Sequence, residues 1–261
     1  MFEIIDQFAL KVPVFLLAFV RIAAMIMVMP IFGYINVAGR IRLVLAFSLT
    51  IFVLPLIVEI NLAPTSTLTM ILLVCREVLI GLIIGFGARL IFEGLNMAGN
   101  FVGYQMGLAI ATVIDPTSQE DAPIIGQFWF LLSLIYFFAI GGHHFLIQVL
   151  TGQFRLIPLT EGQFNPAIGR QLIQGGSQIF VTAVKLAAPV LVLLLVVDTA
   201  LALVARVMPQ INIFIVALPL KIGVGIFAII SSLSIFQLLF GVFYYNLSDY
   251  LKTMISMFHG I

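Results

Sequence analysis

Residues 99–116 read GNFVGYQMGLAIATVIDP, and the reading of the whole chain turns on this stretch. Gly99, Gly103, Gly107 and Ala111 recur at every fourth position, so on a helix they form one nearly bare stripe. Small residues at that spacing let another backbone come close, which is the main packing device where lipid and side chains are equally apolar. The stripe runs into Asp115-Pro116, where proline removes a backbone donor and biases its neighbour away from the helical region. Thr117 to Ala122 is polar and acidic. The segment is too short to cross a bilayer comfortably and too apolar for a solvent loop. Apolar, irregular backbone beside membrane helices belongs inside protein or along a cavity.

The rest of the chain supplies those membrane helices. Of its 261 residues 62% are apolar and 9% charged, far from the usual mix of a soluble domain. The apolar runs are long and continuous, not short and alternating, so the expected class is an all-α, polytopic helical membrane protein rather than a β-barrel. A net charge of +1 provides no basic patch for nucleic acid or anionic lipid. Cys75 is the single cysteine, which excludes a disulfide or thiolate cage within one chain. Glu3 and Asp6 precede the first apolar run, so no cleaved signal peptide is expected, and no soluble domain is expected on either side of the helices.

The pattern predicts about six long helices packed as hairpins, plus the short glycine-rich segment. They run over Val12–Phe32, Leu43–Ile60, Leu68–Phe92, Pro123–Leu150, Ile179–Val207 and Ile211–Phe243. Gly81 and Gly85 repeat the small-residue spacing in the third. The longest polar connector, Thr151 to Gln178, holds the pair Gly175-Gly176 and marks an internal boundary between 1–175 and 176–261. Past Tyr244-Tyr245, the residues Leu247, Tyr250, Leu251, Met254, Ile255 and Phe258 share one face, as in a short interfacial helix. The positive-inside rule gives a tie. Alternating spans place Arg40, Arg42, Arg89 and Arg206 on one side and Lys11, Arg155, Arg170 and Lys252 on the other. A tie suggests that partner subunits fix the final position.

Six charges lie well inside spans: Arg21, Arg76, Glu77, Lys185, Asp198 and Lys221. Each costs about 2.5–3.5 kcal/mol at a helix centre on the insertion scale, so each should have a partner. Asp198 and Arg206, eight apart, are expected to share a buried network. Arg76 and Glu77 point about 100° apart and need partners on other elements. An ion relay is the functional alternative, but no two carboxylates face a common centre. His143 and His144 are adjacent and cannot both ligate one metal from a regular helix. No nucleophile elbow, phosphate loop or HExxH is present, so no enzyme, cofactor or metal is expected.

Three stretches, REVLIGLIIGFG at 76–87, GYQMGLAIATVIDP at 103–116 and ARVMPQINIFIVALPLKIGVG at 205–225, resemble the FliR family. This family forms part of the flagellar type III export gate and its virulence-secretion relatives. The resemblance covers nearly the whole chain and implies a structural pore subunit in the bacterial inner membrane. It would sit in the flagellar basal body, partly raised toward the periplasm, and pass unfolded flagellar proteins. The implied partners are FliP, FliQ, FlhB and FlhA, with 1–175 FliP-like and 176–261 FliQ-like. Also implied is a pore plug over 107–122, involving Gly107, Ile110, Val113, Ile114, Asp115 and Pro116. Relatives often carry aromatic residues there, whereas Ile110, Val113 and Ile114 are aliphatic. Two other functions compete: a secondary transporter for a small solute, suggested by intramembrane charges and broken helices, and an assembly scaffold.

Overall fold

The computed structural model describes residues 2–30, 32, 37–57, 66–108, 124–210 and 212–259. Among them are seven α-helices: α1 (Phe2–Val28), α2 (Gly39–Val53), α3 (Thr67–Gln105), α4 (Ile124–Ala139), α5 (Gly142–Leu156), α6 (Pro166–Val207) and α7 (Ile213–Ser256). Short 3-10 turns follow α2 at Leu54–Leu56 and α7 at Met257–His259. Among the described residues four segments are long and apolar enough to cross a bilayer: Gly39–Leu56, Thr67–Gln105, Pro166–Val207 and Ile215–Ser234. The bent pair α4 and α5 makes a fifth if counted as one span.

The helix boundaries correct several expectations. The first helix begins at Phe2, so Pro13 lies inside α1 instead of opening it, and the apolar part Val12–Val28 is short for a span. The second ends at Val53 because Pro55 cannot donate the next hydrogen bond. The third does not stop at Phe92. It runs 39 residues to Gln105, about 58 Å at 1.5 Å per residue, and takes in Gly94, Gly99 and Gly103. The first half of the expected separate glycine segment is therefore the last turns of α3. That helix stops where Gly107 adopts φ 83°, with Leu108 N–H donating to Gly103 O (3.1 Å) and Gly107 N–H to Tyr104 O (3.0 Å). These two bonds make a Schellman cap, and the left-handed residue suits glycine.

The fourth expected span is two helices, broken where Gly141 takes φ 76°. The long polar connector shrinks to 157–165. Pro166 occupies the first turn of α6, and the Asn165 side chain accepts from Ala167 N–H at 3.0 Å, a regular N-cap. Gly175 and Gly176 fall inside that helix. The expected interfacial helix is the continuation of α7, and its shared face is buried at Leu247, Leu251, Met254, Ile255 and Phe258.

The chain divides into two compact units. Unit 1 comprises Met1–Leu90, Ile140–Gly175 and Asn246–Ile261. In it α1 packs on α2, with Phe47 edge-on to Phe15 (5.4 Å), and the core is built from Leu17, Ile22, Met25, Ile80, Ile84 and Leu146. Unit 2 comprises Ile91–Ala139 and Gly176–Tyr245. Its core is aromatic: Phe92 meets Phe137 (5.1 Å) and Phe243 (6.0 Å) edge-on, and Trp129 meets Phe236 (5.2 Å). Edge-to-face pairs of this kind add about 0.5–1.5 kcal/mol beyond burial.

Candidate functional site

Close helix crossings at glycine are the first feature. In unit 1 a Cβ on Gly85 would lie 2.8 Å from Met25 O, and one on Gly81 would run into the carbonyl of Arg21. Gly81 and Gly85 therefore seat α3 against the backbone of α1. In unit 2 a Cβ on Gly99 would lie 2.6 Å from Gly126 Cα and 2.7 Å from Ile125 O. Gly99 thus receives the first turn of α4, the backbone approach its spacing predicts. Gly103 is buried on the same helix, and its carbonyl is consumed by the cap at Leu108. Gly126, on the other side of that crossing, carries no sequence signal, since it belongs to no regular repeat.

The second feature is buried charge. Arg21 and Glu77 form an ion pair, both side chains with 0% exposure. Arg21 also donates to Ile157 O (2.7 Å) and lies over the Phe154 ring, 5.0 Å from its centroid. Glu77 accepts from Thr160 N–H at 2.9 Å. Thr160 has φ 70°, unusual for a β-branched residue, and the carboxylate holds it there. Arg76 turns to the same 157–163 loop and donates to Gly162 O (2.7 Å). Adjacent residues of α3 thus reach one loop from two sides, and Arg21 completes the set. The signal in the sequence for this pair is that Arg21 is a lone charge in an apolar run and that Glu77, beside Arg76, points away from it and needs a partner on another element.

In unit 2, Asp198 pairs with Lys221, and Gln105 donates to Asp198 Oδ2 at 2.9 Å. The structure does not bring Asp198 and Arg206 together: Arg206 is exposed in the last turn of α6. Eight residues separate the two by about 12 Å along the helix, too far for contact, whereas Lys221 reaches across from α7. Arg206→Gln should therefore change thermal stability by no more than about 0.5 kcal/mol. Asp198→Asn should lower it by about 1–3 kcal/mol, between the exposed and buried limits, because the side chains of Lys221 and Asp198 are still 22% and 32% exposed. Lys221→Met added to Asp198→Asn should restore most of that loss. Melting curves of the four proteins in one detergent test this, and equal effects at Arg206 and Asp198 would sink it.

Of the expected plug residues, Gly107 forms the α3 cap. Ile110, Val113, Ile114, Asp115 and Pro116 lie outside the described residues.

Glycine-seated helix crossings, internal ion pairs and several long apolar helices make this a polytopic helical membrane protein. The sequence profile of the Bacterial export proteins, family 1, matches residues 12–246, and the chain belongs to that family. It is 35% identical over 240 residues to the flagellar biosynthetic protein FliR of Bacillus subtilis (strain 168), covering 89% of each chain. It is 34% identical over 206 residues to the protein of that name from Escherichia coli (strain K12), covering 79% of this chain and 78% of that one. The Pectobacterium carotovorum protein of that name is 33% identical over 211 residues, covering 80% and 79%.

Proposed function

We infer that this chain is a structural subunit of the flagellar type III protein export gate in the bacterial inner membrane, with no catalytic step of its own. The observation that carries the reading is the family match over 12–246 together with relatives named as flagellar biosynthetic proteins. In this role the chain assembles with FliP and FliQ into a pore, FlhB and FlhA complete the gate, and unfolded flagellar proteins pass through. Residues 1–175 act as a FliP-like element and 176–261 as a FliQ-like one. Within the assembly the chain stands partly raised toward the periplasm.

The segment 107–122 closes the pore. Support comes from its two ends. The Schellman cap stops α3 at Gly107, and the backbone contact of Gly99 with Gly126 fixes where the chain leaves and returns. Ile110, Val113 and Ile114 would exclude water by dewetting, and Glu120 and Asp121 would face a wet chamber. Removing 108–114 should leave the complex assembled and make the membrane leak small ions. Conductance and copurification are measured on the same deletion. An assembled complex that stays tight sinks the plug; a complex that falls apart shows an anchor instead.

A further inference from the structure

Within unit 2 the last turn of α3, just before Gly107, is held from two sides. Gln105 donates its side-chain amide to Asp198 Oδ2 of α6 at 2.9 Å, and that carboxylate is itself paired with Lys221 of α7. A hydrogen bond to an ionised group is roughly twice as strong as a neutral one. Met106, the next residue, is fully buried. It lies against Gly225 of α7, where a Cβ would come within 2.7 Å of Met106 Cγ and Sδ and 2.8 Å of its Cε. The bare glycine leaves the space that the methionine fills. Lys221 and Gly225 stand one helical turn apart on α7, so the charged and the apolar parts of this seat share one face.

Helix ends ordinarily fray. Here the end is fixed up to the residue where the chain changes direction, Gly107 at φ 83°. The two contacts act on consecutive residues, which point about 100° apart around a helix, so together they set both the depth and the rotation of the end of α3. The cap at Gly107 and Leu108 then carries that fixed direction into the next residues. We propose that Gln105 and Met106 are positioning residues for pore closure: seated on Asp198 and Gly225, they fix where the 107–122 segment starts. This rests on the reading of 107–122 as the segment that closes the pore, and it assigns to α6 and α7 the task of aiming it.

The test uses the full chain assembled with its membrane partners, with small-ion conductance and copurification measured on each variant. Gln105→Leu keeps the size of the side chain and removes its hydrogen bond. It should raise the leak about tenfold, the factor that one hydrogen bond to a charged group carries. Met106→Ala empties the seat at Gly225 and should also leak. Gln105→Glu sets a second carboxylate against Asp198 and should leak more than Gln105→Leu. Adding Asp198→Asn to it exchanges amide and carboxylate, keeps one carboxylate for Lys221, and should return the leak to the wild-type level. If the 108–114 deletion leaks while assembled Gln105→Leu and Met106→Ala complexes stay tight, the positioning role is overturned and the pore-closing reading stands. A tight deletion defeats that reading and the positioning role with it. Single variants that no longer assemble place both contacts in the fold rather than in closure, and a leak that the exchanged pair does not cure shows that the contact is not its cause; either result overturns the proposal.

Discussion

Glu77→Ala should destabilise the folded chain by about 3–5 kcal/mol, a large share of the roughly 5–15 kcal/mol that holds a domain together. The reason lies in what is left behind. Arg21 is fully buried, and without Glu77 its charge faces only backbone carbonyls, those of Ile157 and Pro158, and an aromatic face, that of Phe154. Neither replaces a carboxylate in a site closed to water. Thr160 would also lose the acceptor that holds it at φ 70°. The loop 157–163, which carries the Arg76 contact, should loosen with it. An Arg21→Met/Glu77→Leu double variant removes both charges and should be clearly more stable than Glu77→Ala, since a lone buried charge is the costly state. Thermal unfolding of the three proteins in detergent decides the matter. A loss below about 1 kcal/mol for Glu77→Ala would mean that Arg21 finds another anion or water, and that Glu77 does not anchor this loop.

Gly99→Val should prevent recovery of a properly folded chain. The added Cβ alone would lie 2.6 Å from Gly126 Cα, 2.7 Å from Ile125 O and 2.9 Å from Gly126 N. All three are backbone atoms of the first turn of α4, so no side chain can swing aside. Overpacking usually costs about 1–3 kcal/mol, and a clash against two helix backbones belongs at or beyond the top of that range. Gly99→Ala should show most of the effect, because the clash begins at Cβ. The substitution acts on the two helices that bracket 107–123, so export should fail through lost assembly, not through a leak. Complex yield and motility measured on Gly99→Ala and Gly99→Val test this. Normal assembly of the valine variant would show that α3 and α4 separate at this point.

Much of the architecture is legible in the residues. Continuous apolar runs point to an all-helical membrane class, because a helix satisfies its own backbone inside lipid and a barrel would show short alternating segments instead. The small-residue spacing marks Gly81, Gly85 and Gly99 as contact points, since a missing side chain is itself the packing signal. The apolar face of 247–258 is also readable from its period. Helix ends are less legible. Gly175 and Gly176 read locally as a break, yet α6 runs through them, and α3 runs on past Phe92 through Gly94 and Gly99. Glycine costs a helix only about 1 kcal/mol, and tertiary contacts such as Gly175 against the Tyr250 ring outweigh it.

Pairings across the fold are hidden for a different reason. Composition and helical period say that Arg21, Glu77, Asp198 and Lys221 must each be compensated, because an isolated charge in an apolar helix is costly. They do not say by which group. Asp198 meets Lys221 and not Arg206, although Arg206 lies on its own helix, because a contact between helices depends on their relative rotation and depth. Arg21 and Glu77 stand 56 positions apart and meet only because Gly81 and Gly85 let α1 and α3 approach backbone to backbone. Which residues demand a partner, and where helices can touch, follow from side-chain chemistry and period, so the chain order already contains them. Which residues meet is settled in three dimensions, because long-range pairing depends on helix crossing geometry that no local pattern encodes.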